Sequence, residues 1–203
     1  MKYIVHGATG AQGSPLFNKL FAEDKNVVAA VRNPGSLQGV QAVKVDLDSV
    51  NSLVSAYTDA EGIFVHLPLG SEETRLQYAR NIGKAVEIAK PKRVVISTSG
   101  WTMGDRNNES ALPTRVRETE KSGVSMAVIA PRLYLENLLL PIVIEPVKTE
   151  GVLSYPLRSD HPVSWCSHLD IADAAAVLLT NRSVTGIVGV GQLPAITGDT
   201  LKA

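Results

Sequence analysis

The sequence predicts one α/β domain built on a doubly wound parallel sheet, and two observations support this. Short, nearly continuous apolar runs alternate with longer segments of helical periodicity along most of the chain. Parallel strands that are buried on both faces have this continuous apolar character. A glycine-rich turn also stands between the first apolar run and the first helical pattern. The 203 residues suffice for one sizeable domain and not for a second large one.

The first 130 residues hold the regular part of this pattern. The predicted strands are 3–5, 27–31, 42–45, 63–65, 93–96 and 126–130. A helix follows the first strand through Leu16, Leu20 and Phe21, and a second spans about 72–89. A third helix follows the polar loop 104–110 and ends near residue 122. Right-handed crossovers between such strands give the doubly wound arrangement.

Beyond residue 130 the pattern changes. Segment 137–143 is very apolar but contains Pro141, and 151–155 and 163–165 are predicted as short strands. An alanine-rich helix is predicted over 170–179, followed by a closing strand at 186–190. We therefore expect a small C-terminal lobe that is grafted onto the sheet.

Composition excludes several functional classes. Twenty basic residues balance twenty acidic ones, which argues against a broad nucleic-acid surface. The single cysteine, Cys166, excludes an intrachain disulfide and a multi-cysteine zinc site. No apolar segment approaches the roughly 20 residues that cross a bilayer, and no signal peptide is apparent, so a cytoplasmic protein is expected. No metal is predicted, because the histidines lie far apart in the chain: His6, His66, His161 and His168.

Residues 7–13 carry the most informative motif, Gly-Ala-Thr-Gly-Ala-Gln-Gly. Glycines at this spacing indicate a phosphate-binding loop when they follow a strand and precede a helix, as they do here. Gly7 permits a tight turn, Gly10 lets the backbone approach a pyrophosphate, and Gly13 permits close packing of helix against strand. The N-terminus of the helix then presents free N–H groups to the phosphates. The fold class is therefore a Rossmann-type sheet that binds a dinucleotide.

The end of the second strand predicts which dinucleotide is bound. An acidic residue there would bind the ribose 2′-hydroxyl of NAD, whereas an arginine pairs with the 2′-phosphate of NADP. This chain has Arg32 at that position and no carboxylate, so NADP(H) is the preferred cofactor, with NAD(H) as the alternative. Asp46, at the end of the third strand, either reaches the adenine amino group or caps the helix that follows.

These segments resemble the NmrA-like family of the atypical short-chain dehydrogenase/reductase superfamily, which has an NAD(P)-binding Rossmann fold. The resemblance covers nearly the whole chain and is carried by segments 7–13, 31–34, 46–53, 95–100, 130–137 and 168–173. Members of that family bind NADP(H) or NAD(H). Some are reductases, including quinone reductases, and others are regulators that sense the redox state of the cofactor.

The resemblance implies a role for each site position. The phosphate loop would comprise Gly7, Thr9, Gly10, Ala11, Gln12 and Gly13. Arg32 would bind the 2′-phosphate and Asp46 would lie near the adenine. The ribose and pyrophosphate would be bordered by His66, Leu67 and Pro68. The nicotinamide side would be lined by Ser97, Thr98 and Ser99 and covered by Pro131, Arg132 and Leu133.

The same resemblance places Tyr134 and Asn137 at the substrate space, where they would orient the substrate together with Ser99. Residues 1–130 would then form a cofactor-binding core and residues 131–203 a small substrate-side lobe of one domain. The chain is shorter than typical members of the family, either because the C-terminal helices are absent by nature or because the chain is trimmed. A homodimer or a regulatory protein partner is also an expectation.

One departure from the family bears on catalysis. Members that do chemistry usually carry a tyrosine or lysine after the fifth strand, often as Tyr-x-x-x-Lys. Between Gly100 and Gly123 this chain has no tyrosine, and its only lysine there is Lys121. The mixed charges of 115–121 are interpreted as a solvated helix face.

Three functions remain open at this stage. The first is an oxidoreductase that transfers a hydride from NADPH to a quinone or similar small electrophile, because quinone reduction demands little general-acid catalysis. The second is a non-catalytic NADP(H)-sensing regulator that binds a protein partner. The third, a nucleotide-sugar epimerase, fits the fold but lacks the tyrosine.

Overall fold

The computed structural model describes residues 2–105 and 107–200. The strands are β1 (Lys2–His6), β2 (Val27–Val31), β3 (Ala42–Lys44), β4 (Ala60–Val65), β5 (Val94–Ser97), β6 (Met126–Pro131), β7 (Leu133–Tyr134), β8 (Trp165–Cys166) and β9 (Gly186–Val190). The α-helices are α1 (Gly13–Ala22), α2 (Val50–Tyr57), α3 (Glu72–Ala89), α4 (Ala111–Lys121), α5 (Pro141–Glu150) and α6 (His168–Thr180). Short 3₁₀ helices span Pro34–Ser36 and Leu135–Leu139.

Seven strands form one sheet in the order β3-β2-β1-β4-β5-β6-β9. All of its pairings are parallel. The chain proceeds outward from β1 through β2 to β3 and then returns to β4 on the other side of β1. The order therefore reverses between β1 and β4, and the carboxyl ends of these two strands are where such a sheet binds its ligand. The predicted Rossmann-type α/β fold is confirmed.

Helices cover both faces of the sheet. Helices α2, α3 and α4 pack on one face, where Ile4 and Ile63 belong to the apolar core. Helices α1 and α6 pack on the other face, where the neighbouring residues Val5 and Phe64 point. Because side chains alternate along a strand, consecutive apolar residues bury into opposite layers. This explains the continuous apolar runs of the sequence.

Side-chain caps mark the starts of three helices. The Ser71 hydroxyl accepts a hydrogen bond from the backbone N–H of Thr74 at 3.2 Å, which starts α3. Ser49 caps α2 in the same way. At α6, Ser167 and Asp170 form a reciprocal capping box. Such caps each stabilise a helix end by about 1 kcal/mol.

The C-terminal half differs from the prediction in several respects. Segment 151–155 contains no strand, because Gly151 ends α5 in the left-handed conformation with φ 68°. Helix α5 itself was not predicted, although Pro141 at its start removes no helical hydrogen bond. The strand predicted at 163–165 is β8, which pairs with β7, and Val163 makes only an isolated bridge. Strand β9 adds to the main sheet beside β6.

Within the described residues, no helix combines the length and the apolar character that a membrane crossing requires.

Candidate functional site

The glycine loop folds as the spacing of its residues requires. Gly7 follows β1 with φ 62°, and its carbonyl accepts a hydrogen bond from the Gly10 N–H at 2.7 Å. A Cβ on Gly13 would lie 2.2 Å from that same oxygen, so no side chain fits at this position. Helix α1 begins at Gly13, and no side chain caps it. The Ser14 N–H donates to the Gly10 carbonyl at 3.0 Å, and Pro15 has no N–H, so the start of α1 attracts an anion mainly through the positive end of its helix dipole.

A cavity of about 520 Å³ lies above this loop, at the point where the strand order reverses. Seven of the predicted cofactor residues line it: Gly7, Thr9, Gly10, Arg32, Asp46, His66 and Pro68. Its volume lies in the usual range of ligand sites. The glycine loop, the start of α1 without a side-chain cap and the exposed Arg32 in the cavity lining together fit the phosphate groups of a dinucleotide.

The remaining predicted cofactor residues lie outside this cavity. Ala11 is exposed on the loop, and Leu67 is buried in the core below it. The buried Gln12 side chain turns away from the phosphate loop toward β5. Its Oε1 accepts a hydrogen bond from the Ser97 hydroxyl at 2.7 Å, and its Nε2 donates to the Ser99 hydroxyl at 3.0 Å. Gln12 thus links the phosphate loop to the end of β5.

Asp46 stands on the rim of the cavity and does not cap a helix. Its Oδ1 accepts the backbone N–H of Asp48 at 3.0 Å, while Ser49 caps α2. The helix-cap interpretation of Asp46 is therefore wrong. Its exposed carboxylate faces the same space as Arg32, which follows β2.

A second cavity of about 610 Å³ adjoins the first, and Leu69 lines both. Seven predicted site residues line it: Thr98, Ser99, Pro131, Arg132, Leu133, Tyr134 and Asn137. They come from the end of β5, the end of β6 and the segment that follows β6. Parallel strands end at the same edge of the sheet, which brings these segments together.

The backbone is strained at the wall of the second cavity, after β5. Ser99 has φ 57°, a left-handed conformation that costs a non-glycine residue energy, and Gly100 follows with φ 83°. The Tyr134 ring packs where a Gly100 side chain would be, with Cε2 3.5 Å from that position. The Ser99 N–H donates to the Ser97 hydroxyl at 3.1 Å. These contacts fix the Ser99 backbone at the wall of the second cavity.

The Tyr134 hydroxyl is buried without a hydrogen-bond partner among the described residues. The Ser97 hydroxyl beside it already donates to Gln12. Burial is the main reason that the pKa of Tyr134 is raised above its ordinary value. The phenol therefore stays protonated at neutral pH and has a donor to offer.

Two histidines lie at the first cavity, the one above the glycine loop, which we call the dinucleotide cavity. His6 is fully enclosed and shares a hydrogen bond of 2.9 Å with the Tyr57 hydroxyl. Burial, followed by the positive fields of His66 and Arg115, lowers the pKa of His6 to about 3. Burial also lowers the pKa of His66, whose Nε2 has no partner among the described residues and lies 2.5 Å from where a Gly7 Cβ would be. Both rings are therefore neutral at pH 7.

Arg115 is a buried cation that the sequence interpretation placed on a solvated helix face, and that interpretation is wrong. It is 1% exposed. One guanidinium nitrogen donates to the Ser97 carbonyl at 2.8 Å, while Nε and Nη1 have no partner among the described residues. Burial lowers the pKa of Arg115 to about 9. Its charge lies near the histidines that line the dinucleotide cavity.

Sequence reasoning also missed polar residues in the wall of the dinucleotide cavity. Thr74 and Tyr78 line it from α3, and Asp48 lines it from the loop before α2. Thr74 and Tyr78 are four residues apart on one helix, which puts them on the same face. That spacing was the available signal. No cluster of three potential metal ligands occurs among residues 2–105 and 107–200.

The parallel sheet, the glycine loop and the cavity at the strand reversal define a dinucleotide-binding protein of the Rossmann class. A family model described as NAD(P)H-binding matches residues 7–124. The chain belongs to this NAD(P)H-binding family. The match confirms the predicted cofactor class and agrees with the NmrA-like resemblance. No curated protein is similar enough in sequence to match the chain.

Solved structures share the fold over nearly the whole chain. A triphenylmethane reductase from Citrobacter sp. aligns with TM-score 0.83 and 17% identity over 99% of this chain and 73% of its own. A nucleoside-diphosphate-sugar epimerase from Staphylococcus aureus gives 0.82 and 17% over 99% and 74%. An NADPH-dependent quinone oxidoreductase from Escherichia coli, complexed with NADPH, gives 0.76 and 23% over 99% and 72%. At these identities the likeness establishes the fold.

Proposed function

We propose that the protein is an NADPH-dependent oxidoreductase that reduces a quinone or a similar small electrophile. One observation carries the proposal: a second cavity adjoins the dinucleotide cavity, and Leu69 lines both. It is lined by the strained Ser99 and by Tyr134, whose buried hydroxyl has no hydrogen-bond partner among the described residues. The solved reductases that share the fold support the same reaction class.

The bound cofactor would be held by the glycine loop and the start of α1, with Arg32 at the 2′-phosphate. When bound, NADPH supplies a hydride, which carries both electrons. A quinone that accepts this hydride takes one further proton from solvent and leaves as the hydroquinone. Before it takes the proton, the reduced quinone is an oxyanion that its aromatic ring stabilises. The site therefore needs hydrogen-bond donors more than a strong acid.

The chain's own residues supply such donors. Tyr134, kept protonated by its raised pKa, donates to the substrate oxygen, and Ser99 and Asn137 orient the ring in the same cavity. Gln12 holds Ser99 through the hydrogen bond at 3.0 Å. In this proposal Tyr134 provides the phenol that α4 lacks.

A second candidate is an NADP(H)-sensing regulator without catalysis. It is favoured by helix α4, which carries no tyrosine and has its only lysine, Lys121, in its last turn. A sensor needs the dinucleotide cavity but no proton donor beside it.

Cofactor titration followed by turnover tests the proposal. We expect NADPH to bind more tightly than NADH, and Arg32→Ala to weaken NADPH binding about tenfold or more while leaving NADH unchanged. Lys44→Ala, an exposed cation at the end of β3 that lies outside the cavity lining, is the matched control. Oxidation of NADPH by 1,4-naphthoquinone supports the reductase if the rate is lower in Tyr134→Phe while this variant keeps the wild-type affinity for NADPH. Tight NADPH binding without oxidation by any quinone favours the sensor.

A further inference from the structure

The second cavity, on the substrate side, has apolar, neutral polar and charged residues in its lining. Its apolar and aromatic lining consists of Leu69, Trp101, Met103, Leu133, Tyr134 and Ile187. Among the described residues that line it, Arg132 alone has a formally charged side chain. A pocket of this kind favours a flat apolar body, and its few polar groups set the orientation of the ligand.

The Arg132 backbone is fixed from two sides. Its N–H donates to the Val190 carbonyl at 2.9 Å in β9. Its carbonyl accepts a weak hydrogen bond from the Cys166 thiol at 3.6 Å in β8. The Arg132 backbone is therefore held by hydrogen bonds to two strands.

The Arg132 side chain lies in a slot made by glycine. A Cβ on Gly191 would lie 2.7 Å from Cγ of Arg132, so any larger residue there would displace the arginine stem. Nη2 extends to 4.0 Å from the corresponding position of Gly189 in β9. Because the stem is seated, less side-chain entropy is lost when the guanidinium pairs with a ligand.

The guanidinium has no salt bridge or hydrogen bond within the part of the chain that the structure describes. The remaining arginines of this lobe contrast with it: Arg158 pairs with Asp160 at 2.7 Å, and Arg182 pairs with Glu61. An arginine that is positioned by backbone and glycine contacts but left unpaired at the wall of a ligand cavity is suited to a ligand anion.

We infer that Arg132 forms an anion subsite of the substrate cavity, so that the preferred substrate is a flat aromatic compound with a carboxylate or sulfonate group. The inference rests on the proposed function for its redox step and adds the acidic group to the substrate. The anion pairs with the guanidinium fork, while the ring occupies the apolar wall toward Ser99 and Tyr134. The reaction itself is unchanged, because the acidic group takes no part in electron transfer.

A pair of isosteric, unreactive probes tests the subsite by binding alone. The protein saturated with NADP⁺ is titrated calorimetrically with 2-naphthoate and with the neutral 2-naphthamide. We expect 2-naphthoate to bind about two- to fivefold more tightly, the range for a partly solvated charge pair. We expect Arg132→Gln to remove this preference, and Arg132→Lys to restore part of it. Arg158→Gln is the matched control and should retain the preference.

Salt provides an independent readout. Raising the salt from 0.05 to 0.5 M should weaken 2-naphthoate binding in the wild type but not in Arg132→Gln, because added ions screen the charge pair. Equal affinity for the two probes, equal losses for both in Arg132→Gln, or no binding of either would overturn the subsite. Selective binding of 2-naphthoate without turnover of any quinone would retain the subsite and refute the reductase. Turnover of neutral and sulfonated naphthoquinones with equal kcat/KM would refute the subsite and retain the reductase.

Discussion

The buried pair of His6 and Tyr57 makes the stability of this protein sensitive to acid in a way that can be calculated. His6 is enclosed below the glycine loop and bonded to the Tyr57 hydroxyl at 2.9 Å. Burial lowers the pKa of His6 to about 3 in the folded state, whereas an unfolded histidine titrates near 6.5. Between these two values the unfolded chain binds a proton that the folded chain does not. The free energy of unfolding must therefore fall as pH falls through this window.

The magnitude follows from the same two values. One pKa unit corresponds to about 1.4 kcal/mol, and pH 5 lies roughly 1.5 units below the pKa of an unfolded histidine. His6 should therefore remove about 2 kcal/mol of stability between pH 7 and pH 5. That is a large fraction of the 5–15 kcal/mol typical of a domain. The loss continues toward pH 3 and then levels off, because below that pH both states are protonated.

Urea unfolding of the protein without cofactor at pH 7, 6 and 5 measures this loss. His6→Gln keeps a polar side chain for the Tyr57 hydroxyl but does not titrate, so the variant should lose about 2 kcal/mol less than the wild type over that range. His161→Gln, which removes an exposed imidazole, should follow the wild type. Parallel pH profiles for the wild type and His6→Gln would refute the reasoning.

Two further predictions concern the glycine loop and the buried arginines. Gly13→Ala should lower the free energy of unfolding by about 3 kcal/mol or more, because its Cβ would meet the backbone oxygen of Gly7 at 2.2 Å. Gly10→Ala, with a contact of 3.3 Å, should fold within about 1 kcal/mol of the wild type and show weaker NADPH binding; equal unfolding midpoints in urea for both variants would contradict this. Arg115→Met removes an uncompensated charge and should raise the unfolding free energy by about 1 kcal/mol or more while weakening NADPH binding. Arg93→Met should lower it, because Arg93 bonds to two carbonyls and a hydroxyl; destabilisation of both arginine variants in urea would contradict the contrast.

The first half of the fold was predictable because its information is local. The strand β1, the turn at Gly7 and the start of α1 occupy a dozen consecutive residues, and each has a conformational requirement that can be read from residue type. Arg32 was found for the same reason, since the carboxyl end of β2 faces the cavity in any sheet of this order. The apolar run of 63–65 likewise located β4 within a few residues.

The errors arose where burial depends on distant parts of the chain. Arg115 belongs to a helix of mixed charge, and its sequence neighbours do not reveal that its side chain enters the core beneath β5. Gln12 lies within the phosphate loop, yet its amide joins Ser97 and Ser99, which are more than 80 residues away. The segment 151–155 has the composition of a strand but is not one, because it begins with Gly151, which ends α5 in the left-handed conformation.

The same reasoning explains why the substrate cavity is harder to predict than the cofactor cavity. NAD(H) and NADP(H) share one pyrophosphate group, so the loop that binds it needs one local pattern of glycines. A substrate cavity is assembled from separate segments, here the end of β5, the turn after β6 and the edge of β9. Tyr134 belongs to β7 and packs on Gly100, at the end of β5. A search for a tyrosine motif on α4 therefore does not find it. The absence of Tyr-x-x-x-Lys from α4 consequently argues only against a phenol that α4 supplies. It does not argue against a phenol that another segment brings to the site. The proton donor has to be sought by geometry around Ser99, and the variant Tyr134→Phe addresses that geometry directly.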